Sequence, residues 1–530
     1  MKKQPNIIFY FSDQQRFDTA GCYGQKLPVT PRLDELAEEG ALFTNAFTCQ
    51  PVCGPARACL QTGQYAAQLG CYRNAIALPQ NVKNLATCLK EAGYETGYVG
   101  KWHLASTLGN SHEMLEPEAD FEARAIPEDR RGGYTDYWVA ADVLEATSHG
   151  YGGRLFDAQN REVLFDGYRT DAVTDHALDF LRSRSGEKPF FLFLSHLEPH
   201  HQNDHDRFEG PEGCRQKFAG FEAPKDLENA PGDWNANWRE QYPDYLGCCR
   251  KIDENLGRLI DALKETGHDE DTVVIFTSDH GSHFRTRCME YKRSCHEDSI
   301  HVPLVIWNGP FEKGRRYEDL VSLIDLPPTI LSIAGAAIPE TMQGRPLTDL
   351  LAEGASWQQE VFLQISESQV GRAIRTDRYK YSVRAYDKNP WLDSGSGVYH
   401  EEYLYDLESD PYECSNLVRD PAYEKVKKEL RERLILRMTA AGENAPEILP
   451  ALPPSTVDLG LNGTLGDFFS NERSRDLAEK HFGEWKKDPR FPQWRRLTLN
   501  ELLAQNPKEM QKNRIQAFLQ DWIRRNLGEI

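Results

Sequence analysis

Between Cys53 and Gly63 the chain reads CGPARACLQTG. Pro55 suits the first turn of a helix, where a backbone N–H has no partner to lose, and Gly63 suits the position just past a helix end. The spacing predicts a helix of about two turns with Cys53 at its N-terminal mouth. Free N–H groups at such a mouth favour an anion and lower the pKa of a thiol. Arg57, four residues on, lies on the same face and adds a cation. The segment is suited to presenting a cysteine-derived group to something negative. The plain alternative is a small buried hydrophobe, the usual role of an isolated cysteine.

Other polar groups stand where short apolar runs end. NIIFYFSD (6–13) leads into Asp13-Gln14, and ETGYVGKWH (95–103) carries Lys101 and His103. FFLFLSH leads to the histidines from His196 to His200, and TVVIFTSDHG (272–281) holds Asp279-His280. With HVPLVIWNG (301–309), these runs read as strands. Between them PRLDELAEEG, LATCLKEAG, TDHALDFLRS and CRKIDENLGRLIDALKETG repeat apolar residues at the helical period. The alternation predicts an α/β fold, a large mixed, mostly parallel sheet sandwiched by helices. Such sheets bind ligands at the carboxyl ends of their strands. Four of those ends carry polar groups that a purely structural sheet would not need.

Past residue 360 the texture changes. RAIRTDRYKYSV and EEYLYDLESDPYE read as antiparallel strands with a turn, and AYEKVKKELRERLILRM as an amphipathic helix. We expect a main domain over 1–360 and a smaller C-terminal α+β subdomain over 361–440. A linker with four prolines between 446 and 454, then a charged helical extension, would fill 441–530.

The 530 residues carry a formal net charge of -20. That excess of acid argues against nucleic acid, a membrane surface or a long polyanion as partner, while leaving room for a basic pocket that takes a small anion. No apolar run approaches membrane-spanning length, and the MKKQPNIIFYFSDQQ start has no small-residue cleavage site. The twelve cysteines form no CxxC pair and no zinc-finger spacing, so free thiols in a reducing compartment are expected. Together these features predict a cytoplasmic protein.

Taken in order, the motifs resemble those of the sulfatase family. CGPARACLQTG is similar to the family signature of Cys or Ser, Pro and Arg followed by a Leu-x-Thr-Gly end. GKWH (100–103) resembles its second signature, and SDHG (278–281), with Lys292 and HVPLVI after it, its metal and substrate segment. The likeness runs from residue 5 to 310, and 371–438 looks like the family's small C-terminal subdomain. The resemblance implies an alkaline-phosphatase-like fold and a nucleophile outside the genetic code. A maturation enzyme would oxidise Cys53 to formylglycine, whose hydrated aldehyde attacks sulfur, expels the alcohol and then eliminates sulfate.

The resemblance also implies a site. Asp13 and Asp279 would ligate a hard divalent cation, with Gln14, His280 and position 53 completing the shell. Many family members carry Asp where Gln14 stands. The departure lowers the ligand charge; calcium (Ca2+) is expected, with manganese (Mn2+) or zinc (Zn2+) open because imidazole suits them. Arg57 would hold the gem-diol oxygen and Lys101 a sulfate oxygen. His103, on the same side of an extended segment as Lys101, would take the gem-diol proton, since imidazole titrates near neutral pH. His200 would serve the leaving group, ahead of His196 and His201, and Lys292, thirteen residues after Asp279, would neutralise the bridging oxygen. Asn74 would touch the substrate or serve as a turn residue, and Trp102 would pack in the core. The ordinary alternatives are strand-end caps for the aspartates and a surface ion pair for Arg57. With the metal and three cations against two carboxylates, the pocket is positive and suits a small anionic ester.

The reading is a sulfuric ester hydrolase for a small sulfated carbohydrate. Its partners would be that substrate and the maturation enzyme, with a homo-oligomer left open. The nearest alternative is a phosphonate monoester or phosphodiester hydrolase of the same superfamily, which the Lys-x-His pair of GKWH disfavours. A non-catalytic binding protein would have no use for the full set of polar residues. A Cys–His thiol hydrolase would need a histidine that no sequence feature places as thiol base. The alcohol half is not legible, though 104–170 and EGPEGCRQKFAGFEAPKDLENAPGDWNANW (209–238) would shape its pocket.

Overall fold

The computed structural model describes residues 4–107, 120–184, 186–230, 237–288, 290–452, 465–470, 474–495 and short pieces between 497 and 522. Sequence readings that fall on 108–119, 231–236, 453–464 and most of 496–530 lie outside the described residues.

The first strands are β1 (Asn6–Ser12), β2 (Ala41–Phe43), β3 (Ala46–Phe47), β4 (Glu95–Lys101), β5 (Tyr137–Ala141), β6 (Tyr151–Asp157), β7 (Glu162–Tyr168) and β8 (Phe190–Ser195). β9 (Thr272–Ser278), β10 (His301–Val302), β11 (Leu304–Trp307), β12 (Arg315–Tyr317) and β13 (Val321–Ser322) follow. Last come β14 (Glu360–Ile365), β15 (Val370–Thr376), β16 (Tyr379–Ala385), β17 (Val398–Asp406) and β18 (Glu447–Leu449).

Ten strands form one sheet in the order β12-β2-β11-β9-β1-β8-β4-β5-β6-β7. Its centre, from β9 to β5, is parallel, and antiparallel strands extend it on both sides. Every residue of β1 is buried, as expected of a strand covered on both faces. Ile7, Phe9 and Phe11 enter one core with Phe193 and Ile275, while Ile8 and Tyr10 enter a second with Leu194 and Phe276. The helix Trp238–Thr266 closes the second face through Ile252, Leu256 and Leu263. The first is covered by helices that include Cys53–Thr62 and Leu326–Ala334, through Ala58, Leu60, Ile330 and Leu331.

HVPLVIWNG does not form one strand. β10 pairs with β3 in a three-stranded sheet, whereas β11 enters the large one. Pro303 lies between them, and proline has no N–H for a ladder bond, so the run breaks there. The C-terminal strands make a five-stranded sheet, β14-β15-β16-β17-β18, against which the helix Glu424–Ala440 packs Leu430, Leu434 and Met438. Among the described residues no helix is long and apolar enough to cross a membrane.

Register positions the chemistry. Ser12 lies level with Ser278, Phe11 with Ser195, and Ser195 with Gly100. The residues that leave β1, β9, β8 and β4 therefore emerge together at one edge of the sheet. Asp13, Asp279, His196 and Lys101 all stand there.

Candidate active site

After a first helix, α1 (Pro31–Glu39), the helix α2 (Cys53–Thr62) opens at Cys53 and ends on Gly63 at φ 66. At ten residues it has nearly three turns, longer than the Gly-Pro and Gly punctuation suggested. Its N-cap, Val52, offers no side-chain acceptor. Asn74 Oδ1 instead accepts the Gly54 N–H at 2.9 Å. The Cys53 sulfur is buried, 2.8 Å from Lys292 Nζ, 3.3 Å from His280 Nε2 and 3.4 Å from Asp13 Oδ1. Burial penalises a thiolate here, but Lys292, Lys101 and His280 outweigh it and hold the Cys53 pKa well below its ordinary value. His103 also faces the sulfur.

Asp13, Cys53, Asp279 and His280 each bring one ligand atom to a cluster in which all lie within 4.8 Å of one another. Burial, with the Asp13 charge, holds the Asp279 carboxyl up at about 7. Burial and the Cys53 sulfur push Asp13 up as well, but Lys101, His200 and Lys292 pull it far below the usual carboxylate range. Asp279 Oδ2 is buried with no hydrogen-bond partner, and Arg57 Nη2 stays 3.6 Å away. His280 Nδ1 donates to the Gly281 carbonyl at 2.9 Å, which leaves Nε2 as a lone pair 3.4 Å from Asp279 Oδ1. An orphaned carboxylate oxygen, a second carboxylate and a preset imidazole fit a divalent cation. Gln14, at φ 70, donates its backbone N–H to Asp279 Oδ1 at 2.9 Å and turns its amide oxygen toward Lys292 at 3.4 Å.

Arg57 spans the floor of the site. It donates to Lys101 O at 2.9 Å, Ser195 Oγ at 2.7 Å and Asp13 Oδ2 at 3.0 Å, and its Nε has no partner. Its hydrogen bonds thus tie strand ends together. Lys101 Nζ sits 2.9 Å from Asp13 Oδ2 and 3.2 Å from Glu145 Oε2. Burial would lower its pKa, but Asp13 and Glu145 raise it, so the ammonium is held charged. His103 follows at φ 58, with Nδ1 buried and unpartnered.

Of the three neighbouring histidines only His200 reaches the cluster, its Nε2 3.0 Å from Lys292 Nζ. His196 is fully buried against Tyr10, and His201 stacks on Tyr291. Trp102 is buried in the core beside Tyr98, Tyr134 and Trp138.

Two residues of the site escaped the sequence reading. Glu145 lies on the short helix Leu144–Thr147, and Lys101 followed by His200 holds its carboxylate down to about 2 against burial. With Glu145 the centre holds three carboxylates, Asp13, Glu145 and Asp279, against the three cations Arg57, Lys101 and Lys292. These carboxylates and cations therefore match in number, and only a bound metal would make the centre positive. The second residue, Glu367, reaches in from the turn between β14 and β15. It accepts the Asn74 N–H at 2.6 Å and pairs with Arg293 at 2.6 Å. No local pattern marks either residue, because each matters only through what the fold sets beside it.

The family profile described as Sulfatase matches residues 5–336, and the one described as N-sulphoglucosamine sulphohydrolase, C-terminal, matches 289–440. The chain is 29% identical over 466 residues to the uncharacterized sulfatase YidJ of Escherichia coli K12, covering 82% of this chain and 87% of that protein. It is 26% identical over 522 residues to the N-acetylglucosamine-6-O-sulfatase of Bacteroides thetaiotaomicron, covering 84% and 88%. The phosphonate monoester hydrolase structure of Agrobacterium radiobacter aligns with TM-score 0.62 at 23% identity, covering 82% of this chain and 96% of that one. At that identity the likeness shows the fold alone.

Proposed function

This chain belongs to the sulfatase family, and from that premise we propose that it cleaves a sulfate monoester of a small carbohydrate through a formylglycine made from Cys53. The observation that carries the reading is the Cys53 sulfur at the mouth of α2, ringed by Lys292, His280 and Asp13. The relative that acts on N-acetylglucosamine 6-O-sulfate supports the carbohydrate class. The thiol stands where formylglycine would be, and the hydrated aldehyde would supply the hydroxyl that attacks sulfur. A divalent cation held by Asp13, Asp279 and His280 would supply Lewis-acid charge toward a sulfate oxygen.

The chain's own residues do the rest. Lys101, fixed between Asp13 and Glu145, keeps one donor direction for a sulfate oxygen. Arg57 holds Asp13 and the Lys101 carbonyl in place. His200 Nδ1 donates to the His201 carbonyl at 2.6 Å, so its Nε2 presents a lone pair to Lys292. Burial, then Lys292 and Lys101, hold His200 below the usual histidine range, which keeps it neutral. Lys292 is therefore the proton-bearing member of the pair and gives its proton to the departing oxygen, with His200 aiming the ammonium. His103, whose Nδ1 has no partner, receives the proton released from position 53.

Co-expression with a formylglycine-generating enzyme, followed by mass spectrometry of the peptide over 47–60, should show sulfur lost and oxygen gained at Cys53. Activity on sulfated mono- and disaccharides should rise in step with that conversion. Full activity with an unmodified thiol would overturn the nucleophile. Faster turnover of a phosphonate monoester than of any sulfate ester would replace the substrate class.

A further inference from the structure

A second set of metal-ligating side chains lies at the surface, outside the Cys53 centre. His149, Asp204 and His205 each bring one ligand atom to a group within 4.8 Å of one another. The two imidazoles stack face to face, centroids 4.3 Å apart and planes within 6°. His149 Nε2 lies 2.9 Å from Asp204 Oδ2, and His205 Nε2 lies 4.0 Å from the same oxygen.

The surroundings fix which atoms are free. Glu209 Oε1, 2.5 Å from His205 Nδ1, accepts that N–H, while its other oxygen accepts the Gly150 N–H. His205 Nε2 is then an unprotonated lone pair, 4.0 Å from the Asp204 Oδ2 that His149 Nε2 also faces. Asp204 Oδ1 accepts from Gln202 Nε2 at 2.7 Å, which turns Oδ2 toward the two imidazoles. A carboxylate behind a ligating histidine, with a hydrogen bond orienting a ligating carboxylate, is the support a metal site uses to set tautomer and direction. Without a metal, a neutral His149 donates its Nε2–H to Asp204 Oδ2 and the exposed His205 Nε2 is left to water.

We propose that His149 Nε2, His205 Nε2 and Asp204 Oδ2 bind a transition-metal ion of the zinc class at the rim of the protein. Two imidazoles and one carboxylate, exposed enough for a water to complete a tetrahedron, match that ion better than calcium. The inner centre, with two carboxylates to one imidazole, has the harder donor set. The rim ion joins two loops. One follows the helix that carries Glu145, and the other leaves β8 and carries His200. Gln202 already links them by donating to the Glu145 carbonyl at 3.1 Å.

The test uses the tag-free full chain, stripped of metal, with Co2+ and Zn2+ as probes at neutral pH. Wild type should take up one more equivalent of Zn2+ than the His149→Ala/His205→Ala double variant by calorimetry. The Asp13→Ala/Asp279→Ala variant should still give the visible bands of tetrahedral Co2+. Glu209→Gln should weaken Zn2+ binding at the rim by about 10–100-fold. Equal stoichiometry in wild type and the double-histidine variant would overturn the proposal. So would absence of Co2+ bands from the Asp13/Asp279 variant, provided its urea unfolding shows that it is folded.

Discussion

Around Cys53 the chain sequesters Arg57, Lys101 and Lys292 with Asp13, Glu145 and Asp279. Where the C-terminal sheet meets the 297–301 segment, it sequesters Arg287, Arg375 and Lys380 with Glu297, Asp298 and Glu413. The two regions have the same charge inventory and use it differently. In the seam, Lys380 Nζ lies 2.8 Å from Glu297 and 2.5 Å from Glu413, and Arg375 lies 3.3 Å from Glu297. At the centre, the neighbours of Lys292 Nζ are a thiol, a ring nitrogen and an amide oxygen. A lysine that neutralises carboxylates holds a fold together. A lysine that touches none is available to something that arrives from outside. Density of buried charge does not by itself mark an active site, and neither does an orphaned carboxylate, since both oxygens of Asp298 in the seam also lack a hydrogen-bond partner; the lysine without a carboxylate does.

The same substitution at the two lysines tests the contrast most directly. Lys292→Met should cost about a hundred- to ten-thousand-fold in turnover, the range for lost acid–base help. It leaves no carboxylate unpaired, so urea unfolding should barely move. A stability loss as large as that of Lys380→Met would erase the distinction. Lys380→Met should destabilise by roughly 3–5 kcal/mol, because Glu413 stays buried without its ion-pair partner while Glu297 keeps only the cation of Arg375. Turnover per folded molecule in that variant should stay within a few-fold of wild type, read from initial rates corrected by the folded fraction.

The seam should also lose stability in mild acid. Burial, though opposed by Glu297, pushes His301 down to about 4. A base with a depressed folded pKa binds its proton more readily when unfolded. Its contribution is therefore intact above its unfolded value of about 6.5 and is lost as pH falls toward 4. The loss should be roughly 3 kcal/mol. His301→Gln should flatten the slope of unfolding free energy against pH by close to one proton between those values. An unchanged slope would place the acid sensitivity elsewhere.

The smallest expected effect sharpens the boundary of the centre. Asn74 spends its side-chain oxygen on the Gly54 N–H, so Asn74→Ala should lose about 1 kcal/mol of stability and raise KM only modestly. A large rise in KM with unchanged stability would make Asn74 a substrate contact instead.

Much of the centre was legible because its residues follow local rules. Pro55 and Gly63 punctuate α2, and Asp13 and Asp279 each follow a fully buried strand. Parallel register then makes neighbours of residues 266 apart in sequence. The histidines of SHLEPHH could be ranked only by pattern, since three imidazoles in six residues point to different sides of one loop. Pro303 split an apolar run that composition alone reads as one strand. Glu145 and Glu367 were invisible for a different reason. Their partners, Lys101 and Asn74, lie on other elements, so the charge balance of the site is a property of the tertiary fold.

The burial of Cys53 has a consequence in time. With only 1% of its surface exposed, the folded protein would give the proposed oxidising enzyme no grip on that thiol. Its enclosing partners Asp279, His280 and Lys292 are made more than two hundred residues later. At about 5–20 residues per second of synthesis, that interval is roughly ten to fifty seconds. The long separation in sequence is thus also a delay, during which the helix carrying the cysteine has been made but cannot yet be closed over. Moving the 279–292 segment earlier by circular permutation would shorten that window, and the yield of converted enzyme should fall with it.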